Sequence, residues 1–183
     1  MRGRLVLRVS PGPDREIWGI ELNEAAAAMA RERCDHFIEG DFFSALAQLP
    51  VQNFDCIVFN DVLEHLPEPW KALNACKNLC TPEGVVVSSI PNFRFVGNLK
   101  EIIMERDFRY KELGILDITH LRFFTSRSIL RMHKECGYEV LRHEGIRPCK
   151  TFMTELLILL SFGFFRDIRY KQFATRAKPI RHE

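Results

Sequence analysis

The run Phe54–Asn60 (FDCIVFN) is apolar at every position except Asp55 and the terminal Asn60, and no other feature narrows the possible folds of this chain as much. A strand wet on one face alternates apolar and polar residues; a strand covered on both faces does not, and such strands belong to sheets flanked by helices. Similar short runs recur at residues 16–22 (EIWGIEL), 37–41 (FIEGD) and 85–90 (VVVSSI). Helix formers separate them. Asn23 is a good N-cap for residues 24–33 (EAAAAMARER), Pro67 and Pro69 open a helix reaching about Cys80, and Gly84 follows its end. This alternation predicts an α/β domain: a mostly parallel sheet with helices on both faces and a ligand crevice at the carboxyl ends of its strands.

Downstream, residues 91–124 are less regular, with a helix expected near 96–105, and are expected to act as a lid. Thr125 or Ser126 should cap an amphipathic helix carrying Ile129, Leu130, Met132, His133 and Cys136 on one face, with Gly137 at its end. A strand at 138–141, a helical apolar segment near 151–164 and a last strand at 172–177 complete the expected sheet.

With 183 residues, 46% of them hydrophobic and 27% charged, the chain has the size and composition of one globular domain. Its 26 bases and 24 acids leave a charge of +2, too small for a protein that grips nucleic acid by neutralising many phosphates. The charge is uneven: residues 142–183 carry nine bases and four acids. Cys34, Cys56, Cys76, Cys80, Cys136 and Cys149 are dispersed, with no CxxC pair, which reads as reduced thiols and a cytoplasmic protein. No signal-peptide pattern is visible. The longest apolar tract, residues 156–165, falls well short of the roughly 20 residues of a membrane span. It is expected to pack over a substrate crevice or against a partner, with peripheral docking on a membrane as the rival reading. Oligomeric state is not legible.

Functional residues in such a sheet cluster just after its strands. Glu21 ends one strand, where an acid can accept the hydroxyl protons of a nucleoside ribose, although a solvated or capping role fits it too. Asp41 follows the turn glycine Gly40, where it could accept from an adenine amino group or cap the turn after it. Asp61, Glu64 and His65 have i, i+3, i+4 spacing; on a helix they would share one face and could hold a divalent metal, or form a capped helix start with Asn60 or Asp61 as N-cap. No metal is assigned on this pattern. Asp117 and His120 could form a carboxylate-oriented base, or His120 and Arg122 could anchor the lid.

Residues 17–22 (IWGIEL), 39–42 (EGDF), 54–69 (FDCIVFNDVLEHLPEP), 79–91 (LCTPEGVVVSSIP) and 117–125 (DITHLRFFT) together resemble the class I S-adenosylmethionine-dependent methyltransferases. The resemblance is to the small-molecule branch that includes the ubiquinone-biosynthesis O-methyltransferases, and residues 172–174 (QFA) resemble its last strand. It implies a Rossmann-like fold, S-adenosylmethionine as cofactor, and methyl transfer to a small molecule, with a hydroxyl as the expected acceptor. It also implies that Glu21 binds the cofactor ribose, that Asp41 and Phe42 flank the adenine, and that Asn60 and Asp61 line the methionine end. If the acceptor is a hydroxyl, His65 and His120 are the candidate bases.

The pattern departs from that family at its start, where a glycine-rich loop and a whole helix should separate the first strand from the acid. Here the nearest text is residues 6–13 (VLRVSPGP), in which only Gly12 fits, and Glu21 follows Gly12 by nine residues where about 20 are expected. No crossover helix fits in that space. The first strand and helix are therefore incomplete: the chain is a truncated or altered member, or its first strand is attached in an unusual way. The alternative to an enzyme is a non-catalytic binding or scaffolding protein on the same fold.

Overall fold

A computed structural model describes residues 4–9, 16–22, 27–28 and 31–181. Seven strands form one sheet: β1 (Arg4–Val9), β2 (Glu16–Glu21), β3 (His36–Glu39), β4 (Phe54–Asn60), β5 (Cys80–Pro91), β6 (Tyr138–Pro148) and β7 (Tyr170–Pro179), in the order β3-β2-β1-β4-β5-β7-β6. The helices are α1 (Phe42–Ala45), α2 (Pro69–Leu79), α3 (Val96–Glu105), α4 (Ser126–Glu135) and α5 (Phe152–Leu160). Five strands, β2 to β6, run in one direction with β1 and β7 reversed; the α/β sheet is therefore mixed, with β2–β3 and β4–β5 parallel and the other four neighbouring pairs antiparallel, where a mostly parallel sheet was expected.

β1 resolves the difficulty at the start of the sequence. It lies inside the sheet between β2 and β4 but runs antiparallel to both, with Val9 opposite Glu16 on β2 and Arg8 opposite Cys56 on β4. Consecutive antiparallel strands need only a short connection, whereas parallel neighbours need a crossover. Six residues therefore suffice between Val9 and Glu16. The consequence is positional. β1 ends at the edge where β2 and β4 begin, opposite the edge where Glu21 and Asn60 lie. Gly12 itself lies outside the described residues, as does half of the expected helix 24–33, of which Ala27, Ala28 and Arg31 are helical.

The core follows the apolar runs. β4 contributes Phe54, Ile57 and Phe59, β5 contributes Val86 and Ile90, and α2 contributes Ala72, Leu73, Cys76 and Leu79. Thr125 and Ser128 close a reciprocal capping box at the start of α4, and the helix buries Ile129, Met132 and His133. Tyr138, at the start of β6, donates its hydroxyl to the Leu73 carbonyl at 2.6 Å and so ties this strand to α2. Several elements outrun their sequence signal: β5 begins at Cys80, and β6 continues to Pro148 past an irregularity between Val140 and Arg142.

Ile129 is fully buried in this cluster, so Ile129→Ala should leave a cavity and lower unfolding free energy by about 2–5 kcal/mol. Urea titration should show a lower midpoint with an unchanged slope. A shift within error of wild type would mean that α4 does not pack as described.

Candidate active site

The carboxyl edge of β4 carries a cluster of ionisable groups. Asn60 ends the strand and accepts from the Ser89 hydroxyl of β5 at 2.7 Å. Asp61 follows in the left-handed region, φ +53°, its amide bonded to the Ser89 carbonyl and its carboxylate accepting from the Gln172 amide of β7 at 2.5 Å. That conformation ends any helical continuation, and Leu63–His65 forms a single 3-10 turn without a side-chain cap. The expected helical face of Asp61, Glu64 and His65 is therefore not formed, and neither is the capped helix start.

A different cluster forms instead. The amides of Leu121 and Arg122 both donate to the Glu64 carbonyl, at 2.9 and 3.0 Å, and the Arg122 guanidinium donates to the Pro67 carbonyl at 2.8 Å. These bonds bring His120 against the turn. The rings of His65 and His120 lie 4.7 Å apart, and one ligand atom each from Glu64, His65 and His120 falls within 4.8 Å of the others. The two expected base candidates thus occupy one site, and the set that could hold a metal contains His120 in place of Asp61.

Both tautomers follow from the hydrogen bonds. The Thr119 hydroxyl donates to Asp117 at 2.6 Å, so His65 Nδ1 must be the donor toward the Thr119 carbonyl and hydroxyl, at 3.1 and 3.2 Å. His120 Nδ1 donates to the Ile115 carbonyl at 3.0 Å. Each ring keeps a lone pair on Nε2, and His120 Nε2 lies 4.0 Å from Glu64 Oε1. The orienting group for His120 is the Ile115 carbonyl; the Asp117 carboxylate caps Thr119. Thr119 and Ile115 carried no sequence signal as orienting residues, because their role comes from backbone carbonyls.

Glu64 is the anomaly of this site. It is 1% exposed, and among the described residues neither of its carboxylate oxygens has a hydrogen-bond partner. Burial pushes its pKa up to about 8, with the charges of Asp61 and Asp117 adding to the shift. Burial also raises the pKa of Asp61, against the lowering effect of Arg147, His120 and His65, and lowers that of His120, keeping its imidazole neutral. A buried carboxyl with unsatisfied oxygens beside two imidazole rings is a donor set suited to a divalent cation.

Glu21 is buried at the end of β2, at the same edge of the sheet as Asn60 and Asp61. Gly40 beyond β3 has φ +143°, the bend that its turn requires. Asp41 takes the capping role: its carboxylate accepts from the Phe43 and Ser44 amides and from the Ser44 hydroxyl, which lowers its pKa. Phe42 does not flank a cleft; its ring is buried, edge-on to Phe59 at 5.6 Å.

A family profile described as a methyltransferase domain matches residues 5–143. The chain belongs to the methyltransferase domain family. Among curated relatives, the ubiquinone biosynthesis O-methyltransferase of Alkalilimnicola ehrlichii is 33% identical over 85 residues, covering 42% of this chain and 33% of that protein. The protein of the same name from Aromatoleum aromaticum is 26% identical over 170 residues, covering 88% of this chain and 68% of its own. The match thus spans about a third of the first relative and two thirds of the second. Among solved structures, a SAM-dependent methyltransferase from Archaeoglobus fulgidus superimposes with a TM-score of 0.65 at 16% identity, over 88% of this chain and 75% of that one. Magnesium protoporphyrin IX methyltransferase of Synechocystis, with bound SAH, gives 0.55 at 14% identity, over 89% and 64%.

S-adenosylmethionine is the cofactor of this methyltransferase family. The residues fit it in part: Glu21, Asn60 and Asp61 lie at the edge where ligands of such sheets bind, while the connection after β1 leaves from the opposite edge. Among the described residues, no helix is long and apolar enough to cross a membrane.

With cations removed by a chelator, stability should fall as pH rises from 4.5 toward about 8, because over that window Glu64 holds a proton in the folded chain and not in the unfolded one. The loss is on the order of 5 kcal/mol at most. Urea titrations across this range should show the slope in wild type and a flatter one in Glu64→Gln. Identical slopes would show that Glu64 does not titrate in this way.

Proposed function

We propose that the chain transfers a methyl group from S-adenosylmethionine to a hydroxyl of a small-molecule acceptor, at a site built around Glu64, His65 and His120. The observation that carries this reading is the meeting of a buried carboxyl and one ring nitrogen from each of two imidazoles at the strand edge where ligands of such sheets bind, in a methyltransferase domain. The relatives named as ubiquinone biosynthesis O-methyltransferases support a hydroxyl acceptor.

The cofactor supplies an electrophilic methyl group, and in-line transfer depends chiefly on alignment and exclusion of water. The residues then have separate tasks. Glu21 accepts from the ribose, and Asn60 and Asp61 line the edge beyond β4. Thr119 and Ile115 fix the His65 and His120 rings, so that both Nε2 atoms are acceptors. Glu64, on giving up its proton to a bound divalent cation, would contribute a negative charge to the set. Such a cation, held by these three side chains, would supply positive charge that makes a hydroxyl acidic near neutral pH, the proton passing to solvent. Phe108, Tyr110 and Phe123 pack edge-to-face or tilted beside His120 and offer apolar walls for a planar acceptor.

One observation favours a second reading. Because β1 runs in reverse, its last residue, Val9, lies at the edge opposite Glu21 and Asn60, which fits a non-catalytic binding protein on the same fold.

Isothermal titration with S-adenosylhomocysteine separates the two. The enzyme reading expects micromolar binding, weakened by about 1–3 kcal/mol in Glu21→Ala. It also expects His120→Ala to lower turnover with a catechol acceptor by roughly a hundredfold to ten-thousandfold at unchanged S-adenosylhomocysteine affinity. EDTA should abolish turnover and Mn2+ restore it. No binding at millimolar concentration would favour the second reading.

A further inference from the structure

The least expected surface of the molecule is the connection between β6 and β7. α5 buries Thr154 and Ile158 and turns Phe152, Met153, Leu159 and Leu160 outward. The turn that follows exposes Phe162 completely and Phe164 by 70%. Apolar patches of this kind, rimmed by polar groups, mark contact surfaces. Local structure does not explain them. Phe162 has φ +50°, a left-handed conformation unfavourable for a bulky side chain, and its ring is 100% exposed.

The charges of this segment that are left unpaired have one sign. Residues 147–171 contain five bases and two acids, and both acids are paired: Glu155 with Arg169 at 2.8 Å, and Asp167 with Arg94 at 2.6 Å. Arg147, Lys150, Arg166 and Lys171 are exposed. In a two-fold contact with a second copy through this end, these bases would meet their own counterparts with no free acid to pair them. Phospholipid phosphates supply the missing sign.

We infer that α5 and the turn after it dock on an anionic phospholipid surface, with Phe162 and Phe164 in the interface and the four exposed bases at the headgroups. A helix of nine residues, about 14 Å long, is too short to span a bilayer and suited to lying in its surface. The placement has a consequence for the site. Pro148 pairs with Tyr170 at the same sheet edge that carries Asp61, Gln172 of β7 bonds Asp61, and Arg147 is the charge that most lowers the Asp61 pKa. A docked molecule would hold this edge near the bilayer, where a lipophilic ligand is concentrated.

Co-sedimentation of the full chain with sucrose-loaded vesicles tests the docking without any cofactor, and so independently of the methyltransferase reading. Wild type should pellet with vesicles of phosphatidylcholine and phosphatidylglycerol in equal parts, less with phosphatidylcholine alone, and less again as salt rises. Phe162→Asp with Phe164→Asp should cut partitioning to both vesicles by about tenfold or more. Asp populates the left-handed region more readily than Phe, so the variant should fold, which its melting curve will show. Lys150→Gln with Arg166→Gln should remove only the increment due to phosphatidylglycerol. The inference fails if wild type binds neither vesicle at low salt, or if the double Asp variant partitions like wild type. It fails equally if wild type is a dimer in sedimentation equilibrium that the double Asp variant turns into monomer, since a second copy then covers the patch.

Discussion

The two hydrogen bonds from the Leu121 and Arg122 amides to the Glu64 carbonyl hold the site together. They fasten the irregular segment after α3 to the end of β4, and they bring His120 beside His65 and the Glu64 carboxyl. Without them the two imidazoles would belong to separate elements. The same joint buries Glu64 so thoroughly that its carboxyl loses water without gaining a hydrogen-bond partner among the described residues. An unsatisfied buried acid is costly, and two imidazoles beside it are the natural company of a cation.

The reversed interior strand is the second constraint. β1 gives β2 and β4 a shared neighbour and closes the sheet through a short antiparallel connection, so the fold is completed with fewer residues than a crossover needs. Its direction moves the following connection to the far edge. The site is consequently assembled from the ends of β2, β4 and β7 and from the segment at 106–124, which shifts weight onto Glu21, Asp61 and the histidine cluster.

Much of the fold was legible because it depends on local pattern. The unbroken apolar run of β4, the cap and apolar face of α4, and the prolines opening α2 each locate an element without tertiary context. The shortage of residues between Gly12 and Glu21 signalled that no crossover helix could fit, but strand direction is decided by pairing, which the local pattern does not encode. The i, i+3, i+4 spacing of Asp61, Glu64 and His65 misled because such spacing gives one face only within a helix, and the left-handed Asp61 breaks it. His120 joined Glu64 through backbone hydrogen bonds, which leave no residue-type signature. Phe42 read as a pocket ring and proved to be core, since an aromatic ring beside a strand end suits either place. The apolar tract at 156–165 was visible as a run, but its exposure was not.

The account rests on Glu64, His65 and His120 acting as one ligand set, and diffraction tests that directly. Crystals grown with Mn2+ and measured at an energy above and below the manganese edge should give one strong anomalous peak within bonding distance of a Glu64 oxygen and the Nε2 atoms of His65 and His120. The same crystals of Glu64→Gln should lose it. A map without a peak between these three side chains, from crystals in which both rings keep their Nδ1 bonds to the Thr119 and Ile115 carbonyls, would contradict the claim.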